Sequence, residues 1–265
     1  IGWKAVTTNY SDLISSGCIE FIGINIGLVL TPNTEWNWVQ ELYEGFSEAL
    51  NKYGGLILGG DCSRGENEMI AITAIGMQSN LKLRRNACKP GDVLLTSGVH
   101  GLSKLGLLIK TNQINKKEFN LNDNLVDISI NAFCRPKPNY EILKKFLNSN
   151  IYFISREIGC TDSSDGFFQA IFDLSKESKC KAIVDYKKLP KSEHWPEGER
   201  WDRFYFFGGE DYELLISLPE DWAKKLIQMD NKITEIGYFI QGSPNVEIKN
   251  CPNKIFLKNN SYSHF

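Results

Sequence analysis

The chain has 265 residues, 42% hydrophobic and 23% charged, with a formal net charge of −2. That length suits one large domain or two ordinary ones, with a core that needs no disulfide or structural metal. The near-neutral balance, without a long run of Lys or Arg, argues against a nucleic-acid partner. The longest apolar runs, such as Ile22–Leu30, are too short to span a bilayer, and no signal peptide is visible. Seven scattered Cys with no C-x-x-C argue against a zinc site or disulfide framework and fit a reducing cytoplasm. The chain begins at Ile1 rather than Met, which gives the expectation that its natural start lies upstream.

In chain order, the β-branched run Phe21–Leu30 predicts a buried strand, and Thr34 is placed to cap the helix that follows. Trp38, Val39, Leu42, Phe46, Ala49 and Leu50 recur at helical spacing until Gly54-Gly55 ends the pattern. Leu56–Leu58 predicts a short strand running into Gly59-Gly60-Asp61, and Met69–Met77 a further strand. Lys89-Pro90-Gly91-Asp92 reads as a turn, near which we place a domain boundary: residues 1–88, then 89–265. Val93–Thr96 reads as a strand entering a helix with Leu105, Leu107, Leu108 and Ile109. Thr111–Asn131 is Asn-rich and reads as a loop or insertion. Helices are expected over Pro138–Asn148, Phe167–Lys176 and Glu220–Met229. Strands are expected over Ala182–Leu189, Phe204–Phe207, Tyr212–Leu218 and Ile233–Phe239. Helices and strands interleave, so the fold class is α/β or α+β.

Three acidic segments stand out, and all three are read as loops: Asn9-Tyr10-Ser11-Asp12, Gly59-Gly60-Asp61-Cys62-Ser63-Arg64 and Asp162-Ser163-Ser164-Asp165-Gly166. Each alone reads first as a helix cap or a turn. Together they offer the hard oxygen ligands that magnesium takes alongside substrate phosphates. The third is not an EF-hand, because Phe167 falls where that loop needs Gly and Asp173 where it needs Glu. No P-loop and no protein-kinase signature occurs. The three His are isolated from any Ser or Cys context that would suggest a triad.

These segments and three others resemble the motifs of thiamine-monophosphate kinases. Gly59–Arg64 resembles G-G-D-T-T, Arg85–Asp92 resembles R-S-G-A-K-P-G-D, and Asp162–Phe167 resembles D-I-S-D-G-L. Gly208–Leu215 resembles G-G-E-D-Y-E-L-L, Asn9–Leu13 resembles N-x-S-D-L, and Tyr262–Phe265 resembles the terminal G-Y-D-H-F. The order agrees from Ile1 to Phe265. The resemblance implies the two-domain fold of aminoimidazole ribonucleotide synthetase, with an N-terminal α/β domain that dimerises and ATP at the interface. It implies Asp12, Asp61, Asp162 and Asp165 as magnesium ligands, and Tyr43, Gly60, Asp61, Arg85 and Ser164 as ATP contacts. Glu210 and Tyr262 are the implied contacts to thiamine monophosphate. No catalytic base is implied, since a phosphate acceptor is already a nucleophile.

Several positions depart from the pattern. Cys62 stands where the family has Thr, and Ser163 and Phe167 stand where it has Ile and Leu. The family's D-D-A-A and D-x-x-x-E-x-x-H-F motifs, which supply further metal ligands and part of the dimer sheet, do not occur in this sequence. Three readings follow: the kinase, another ATP-using enzyme of the same superfamily (selenophosphate synthetase-like or hydrogenase-maturation-like), or a non-catalytic nucleotide-binding relative. Without the upstream strands, the Phe21–Leu30 strand is expected to have unpaired edges and exposed apolar surface.

Overall fold

The computed structural model describes residues 1–78, 80–148 and 157–252. Helix α1 (Gly2–Ser15) carries a buried stripe of Trp3, Val6, Tyr10 and Ile14, spaced three and four apart. The chain continues through β1 (Cys18–Leu30), α2 (Trp36–Tyr53), β2 (Leu56–Arg64) and β3 (Met69–Gln78). β1 is the middle of a three-stranded sheet, parallel to β2 and antiparallel to β3. α1 and α2 bury their apolar stripes together, with Val39, Leu42, Phe46 and Ala49 of α2 in the same core as Tyr10 and Ile14.

The second sheet has seven strands in the order β10-β7-β9-β5-β8-β6-β4. They are β4 (Leu83–Arg84), β5 (Val93–Thr96), β6 (Ile158–Asp162), β7 (Lys181–Asp185), β8 (Leu214–Leu218), β9 (Thr234–Ile240) and β10 (Asn245–Lys249). Its helices are α3 (Leu102–Lys110), α4 (Asp123–Cys134), α5 (Tyr140–Asn148), α6 (Phe167–Glu177), α7 (Glu199–Phe207) and α8 (Glu220–Met229). β8 is buried on both faces and apolar except for Ser217, whose hydroxyl donates to Asp92 at 2.7 Å. Leu214, Ile216 and Leu218 enter the core shared with α1 and α2, and Leu215 enters the one under α6. That shared core joins the two sheets.

The structure corrects several expectations. Phe204–Phe207 is the last turn of α7 rather than a strand. Four consecutive aromatics carry no period, whereas Trp201 and Tyr205, four apart, are both buried on one helical face. The Thr111–Asn131 segment contains most of α4, whose Leu125, Val126 and Ser129 pack towards α3 beneath a polar outer face. Asn122 caps α4 by accepting from Asn124 and Leu125. Thr34 does not cap α2. Glu35 holds that position, and the Thr34 hydroxyl accepts from the Thr31 N–H instead. Asn9–Asp12 lies inside α1 and Gly59–Arg64 inside β2, so only Asp162–Gly166 of the three acidic segments is a loop. β1 has both edges paired; the exposed apolar residues sit mainly on β2 and β3.

Candidate active site

The site is assembled at one edge of the seven-stranded sheet. β6 ends on Asp162, which is paired in register with Leu214 at the start of β8. The loop 162–166 opening α6 therefore lies beside the turn 208–213 that leads into β8. The two are laced by hydrogen bonds, from the Glu210 N–H to the Ser164 carbonyl at 2.8 Å and from the Glu213 N–H to the Ser163 side-chain Oγ at 3.1 Å. Glu210 and Tyr212 hold left-handed φ values of 59° and 55°, a conformation that non-glycine residues keep only where surroundings fix it. Gly209 has φ 71°, and a Cβ there would stand 2.8 Å from the Ser164 carbonyl, so the close approach of the two loops requires glycine.

Asp162 is 3% exposed, and α1 reaches it from the other sheet. Ser11, fully buried on α1, donates to Asp162 Oδ2, and Ser164 donates to Oδ1 at 3.1 Å. Burial pushes the Asp162 carboxyl up; Ser11, Ser164 and the Arg85 guanidinium pull it down, and Asp165 pushes it up again. Asp12, next to Ser11 on α1, keeps a face to solvent. Burial, and then the charge of Asp162, push its carboxyl up to about 6; Arg85 opposes this and Asp165 adds to it. Arg85 is fixed by donation from Nε to Thr161 Oγ1 at 3.1 Å. A cavity beside it has Asp12, Ser15, Ser16, Arg84 and Arg85 on its wall. Asp12, Asp162 and Asp165 thus gather negative charge around the Arg85 guanidinium. Among the described residues, no group of three or more His, Cys, Asp or Glu is disposed to hold a metal by itself.

A second corner carries Tyr43, Gly60 and Asp61. Tyr43 lies on α2 and shares with Leu30, Trp36, Val39, Gln40 and Cys62 an apolar cavity of about 400 Å³. Burial, and then Cys62, push the Tyr43 hydroxyl up. Gly60 is pressed against β1, where a Cβ would meet the Ile26 carbonyl at 2.1 Å. Asp61 follows it on the exposed strand β2 and accepts from Ser63 Oγ at 3.2 Å. It is not among the charges acting on Asp12 or Asp162. The structure therefore joins Asp12, Asp162, Asp165, Ser164 and Arg85, and leaves Asp61 apart.

Glu210 is half exposed and pairs with Lys4 of α1 at 3.0 Å. Tyr262 lies outside the described residues. Sequence reasoning missed two contributors. One is Ser11, whose partner is 151 residues away. The other is Asp211, whose carboxylate accepts from the N–H groups of Gly101 and Ser103 at 2.7 and 2.9 Å and so caps α3. Both stood inside quoted motifs, Ser11 beside Asp12 and Asp211 beside Glu210, and that adjacency was the available signal.

A family model described as AIR synthase related protein, N-terminal domain, matches residues 1–78. The chain is 44% identical over 242 residues to the thiamine-monophosphate kinase of Prochlorococcus marinus, covering 91% of this chain and 73% of that protein. It is 30% identical over 267 residues to the thiamine-monophosphate kinase of Synechococcus elongatus, covering 100% of this chain and 80% of that protein. The solved structure of AaThiL complexed with AMPPCP and TMP has a TM-score of 0.83 at 24% identity, covering 100% of this chain and 80% of that one, a likeness of fold.

Proposed function

The chain belongs to the thiamine-monophosphate kinase family, and from that premise we propose that it transfers the γ-phosphoryl group of ATP to the phosphate of thiamine monophosphate, giving thiamine diphosphate and ADP. The observation that carries this reading is the convergence of Asp12, Asp162 and Asp165 on Arg85 at one sheet edge. Hard carboxylate oxygens gathered here, with burial the chief cause that pushes the Asp12 and Asp162 carboxyls up, suit magnesium, which is commonly held by a few carboxylates together with substrate phosphates. Bound magnesium supplies neutralisation of the charge on the transferring phosphoryl oxygens.

The chain's own residues position the reactants. Asp12, Asp61, Asp162 and Asp165 are the residues that would hold the magnesium. Arg85, steadied by Thr161, meets a phosphate oxygen. Tyr43 and its apolar cavity receive the adenine, with Gly60 admitting close backbone approach. Ser164 orients Asp162 and faces the nucleotide. Glu210 attracts the cationic thiazolium of thiamine monophosphate, and Tyr262 keeps the substrate role that its motif gives it. No side chain needs to remove a proton, because the acceptor phosphate is ionised at neutral pH.

The same reading makes the protein a cytoplasmic homodimer. Among the described residues no helix is long and apolar enough to cross a membrane. The test is a thiamine diphosphate assay with ATP and magnesium. Product is expected, and Asp162→Asn should lower turnover by about 100-fold or more, the scale of losing one preorganised electrostatic group. A well-folded chain that makes no thiamine diphosphate would count against the reading.

A further inference from the structure

A third, larger cavity, of about 850 Å³, opens between the loop after β5, the start of α5, the end of α2 and the loop before β9. None of Asp12, Asp162, Asp165, Arg85 or Glu210 lines it. Its size is that of a small-molecule pocket. Tyr53, Tyr140, Pro138 and Pro190 give it flat walls, and five lysines stand around them.

The lysines outnumber the acids that face them. Lys144 pairs with Glu141 at 2.8 Å and Lys145 pairs with Asp230. Lys232 acts on Glu213 at the floor, which is bound by Ser97 and Asn139. Burial pushes the Glu213 carboxyl up to about 7, which disfavours its charged form beside the lysines. Lys52 and Lys137 have no carboxylate partner among the described residues. The Lys52 ammonium sits 5.6 and 5.4 Å from the rings of Trp3 and Tyr53. Burial lowers its basicity first, and the neighbouring charges of Lys137 and Arg135 lower it further. Like charges gathered on a concave wall, beside aromatic faces, are relieved by an anion seated among them.

We propose that this cavity binds a small phosphoryl-bearing anion, with its oxygens at Lys52 and Lys137 and its body against Tyr53 and Tyr140. Lysine suits this role as a point charge for phosphate that does not need bidentate geometry. The cavity floor is also joined to the reaction edge. Ser97 bonds both the Glu213 carboxylate and the Leu214 N–H, and the Glu213 N–H bonds Ser163 in the metal-side loop.

The test uses inorganic pyrophosphate and the full chain in EDTA, which leaves the acidic site without the cation it needs to hold a phosphate. Calorimetric titration should show binding that the double variant Lys52→Met, Lys137→Met weakens about tenfold or more. Arg85→Ala should leave it unchanged. Melting in the absence of pyrophosphate checks that the double variant folds, and the exposed Lys232→Met gives an independent reading in the same direction. Pyrophosphate that does not bind without metal, binding indifferent to all three lysines, or binding abolished by Arg85→Ala would each overturn the proposal.

Discussion

Ser11 shows how much one hydroxyl can settle. It is fully buried on α1, and its bond to Asp162 both fixes the carboxylate and favours its ionised form. Ser11→Ala removes a hydrogen bond to a charged acceptor, a loss of about 1.5–3 kcal/mol where the group stays buried. We expect kcat/KM to fall about tenfold or more and the melting midpoint to fall by several degrees, by roughly 2–4 °C per kcal/mol. Steady-state kinetics beside a melting curve check both, and an Ala variant with native kinetics would remove Ser11 from the site. His100 supplies the pH dependence. It is 1% exposed, lies against Phe167 and Tyr205, and bonds Thr96 at 2.8 Å through Nε2. Burial lowers its pKa from 6.5 to about 3. The folded state therefore binds fewer protons than the unfolded one. The stability it contributes is full above about 6.5 and is lost as pH falls towards 3, by at most about 1.4 kcal/mol per pH unit. Asp211 and Glu213 act in the opposite sense. Both are raised to about 7, so their contribution is present at low pH and is lost as pH rises through 7. Comparing urea denaturation of the native chain and His100→Gln at pH 7 and 4.5 isolates the imidazole. The native chain should lose on the order of 2 kcal/mol more than the variant over that interval; equal losses would contradict the assignment.

At the scale of elements, the turn 208–213 does more than present Glu210. α3 begins at Gly101 with a left-handed φ of 89° and no cap of its own, and Asp211 supplies one from 110 residues away. Asp211→Ala leaves two helix N–H groups without an acceptor and removes a negative charge from a helix N-terminus, costing about 1–2 kcal/mol. Because the same turn holds Glu210, KM for thiamine monophosphate should rise more than kcat falls, and Asp211→Asn should recover part of the stability. Native melting and native KM in Asp211→Ala would exclude the role. Such long-range caps are not legible in a sequence, because donor and acceptor share no local pattern. Elements with a strong period were legible. α2 announced itself through Val39, Leu42, Phe46 and Ala49, and β8 through a run that is apolar apart from Ser217. α4 was not, because its exposed positions are Asn and Asp and its few buried ones include the polar Ser129. Nor was α1, where the polar Asn9, Ser11 and Asp12 interrupt the apolar stripe of Trp3, Val6, Tyr10 and Ile14 and mask its period. The carboxylates themselves were legible as residues. What α1 and β6 bring together was not, since Asp12 and Asp162 meet only through the packing of one sheet's helix on the other sheet's edge.

The whole molecule leaves one surface unexplained by the single chain. The three-stranded sheet has α1 and α2 packed on one face, and Ile70, Ile72 and Ala74 of β3 point into that core. The alternate residues of β3 face outward, with Met69 56% exposed, Ile75 39% and Met77 50%. β2 is exposed along its whole length, including Leu56 at 70%, Ile57 and Leu58. An edge strand of this kind, beside a contiguous apolar face, is a liability that proteins cover or pair. A second copy of the same face is the simplest cover, since a two-fold axis turns one apolar patch into a self-complementary interface. It would also draw the Asp61 strand against a neighbouring subunit, giving an isolated carboxylate on β2 a place beside a shared nucleotide. We therefore expect the chain to run as a dimer in sizing chromatography with light scattering, and its melting midpoint to rise with protein concentration, as mass action requires when only the folded form associates. Leu56→Lys with Met77→Lys puts charge on the exposed face while touching no core residue. That variant should be monomeric, with secondary structure retained by circular dichroism and kinase activity reduced. A native chain that stays monomeric at tens of micromolar, or a double-lysine variant that remains dimeric, would show that this face is covered in some other way.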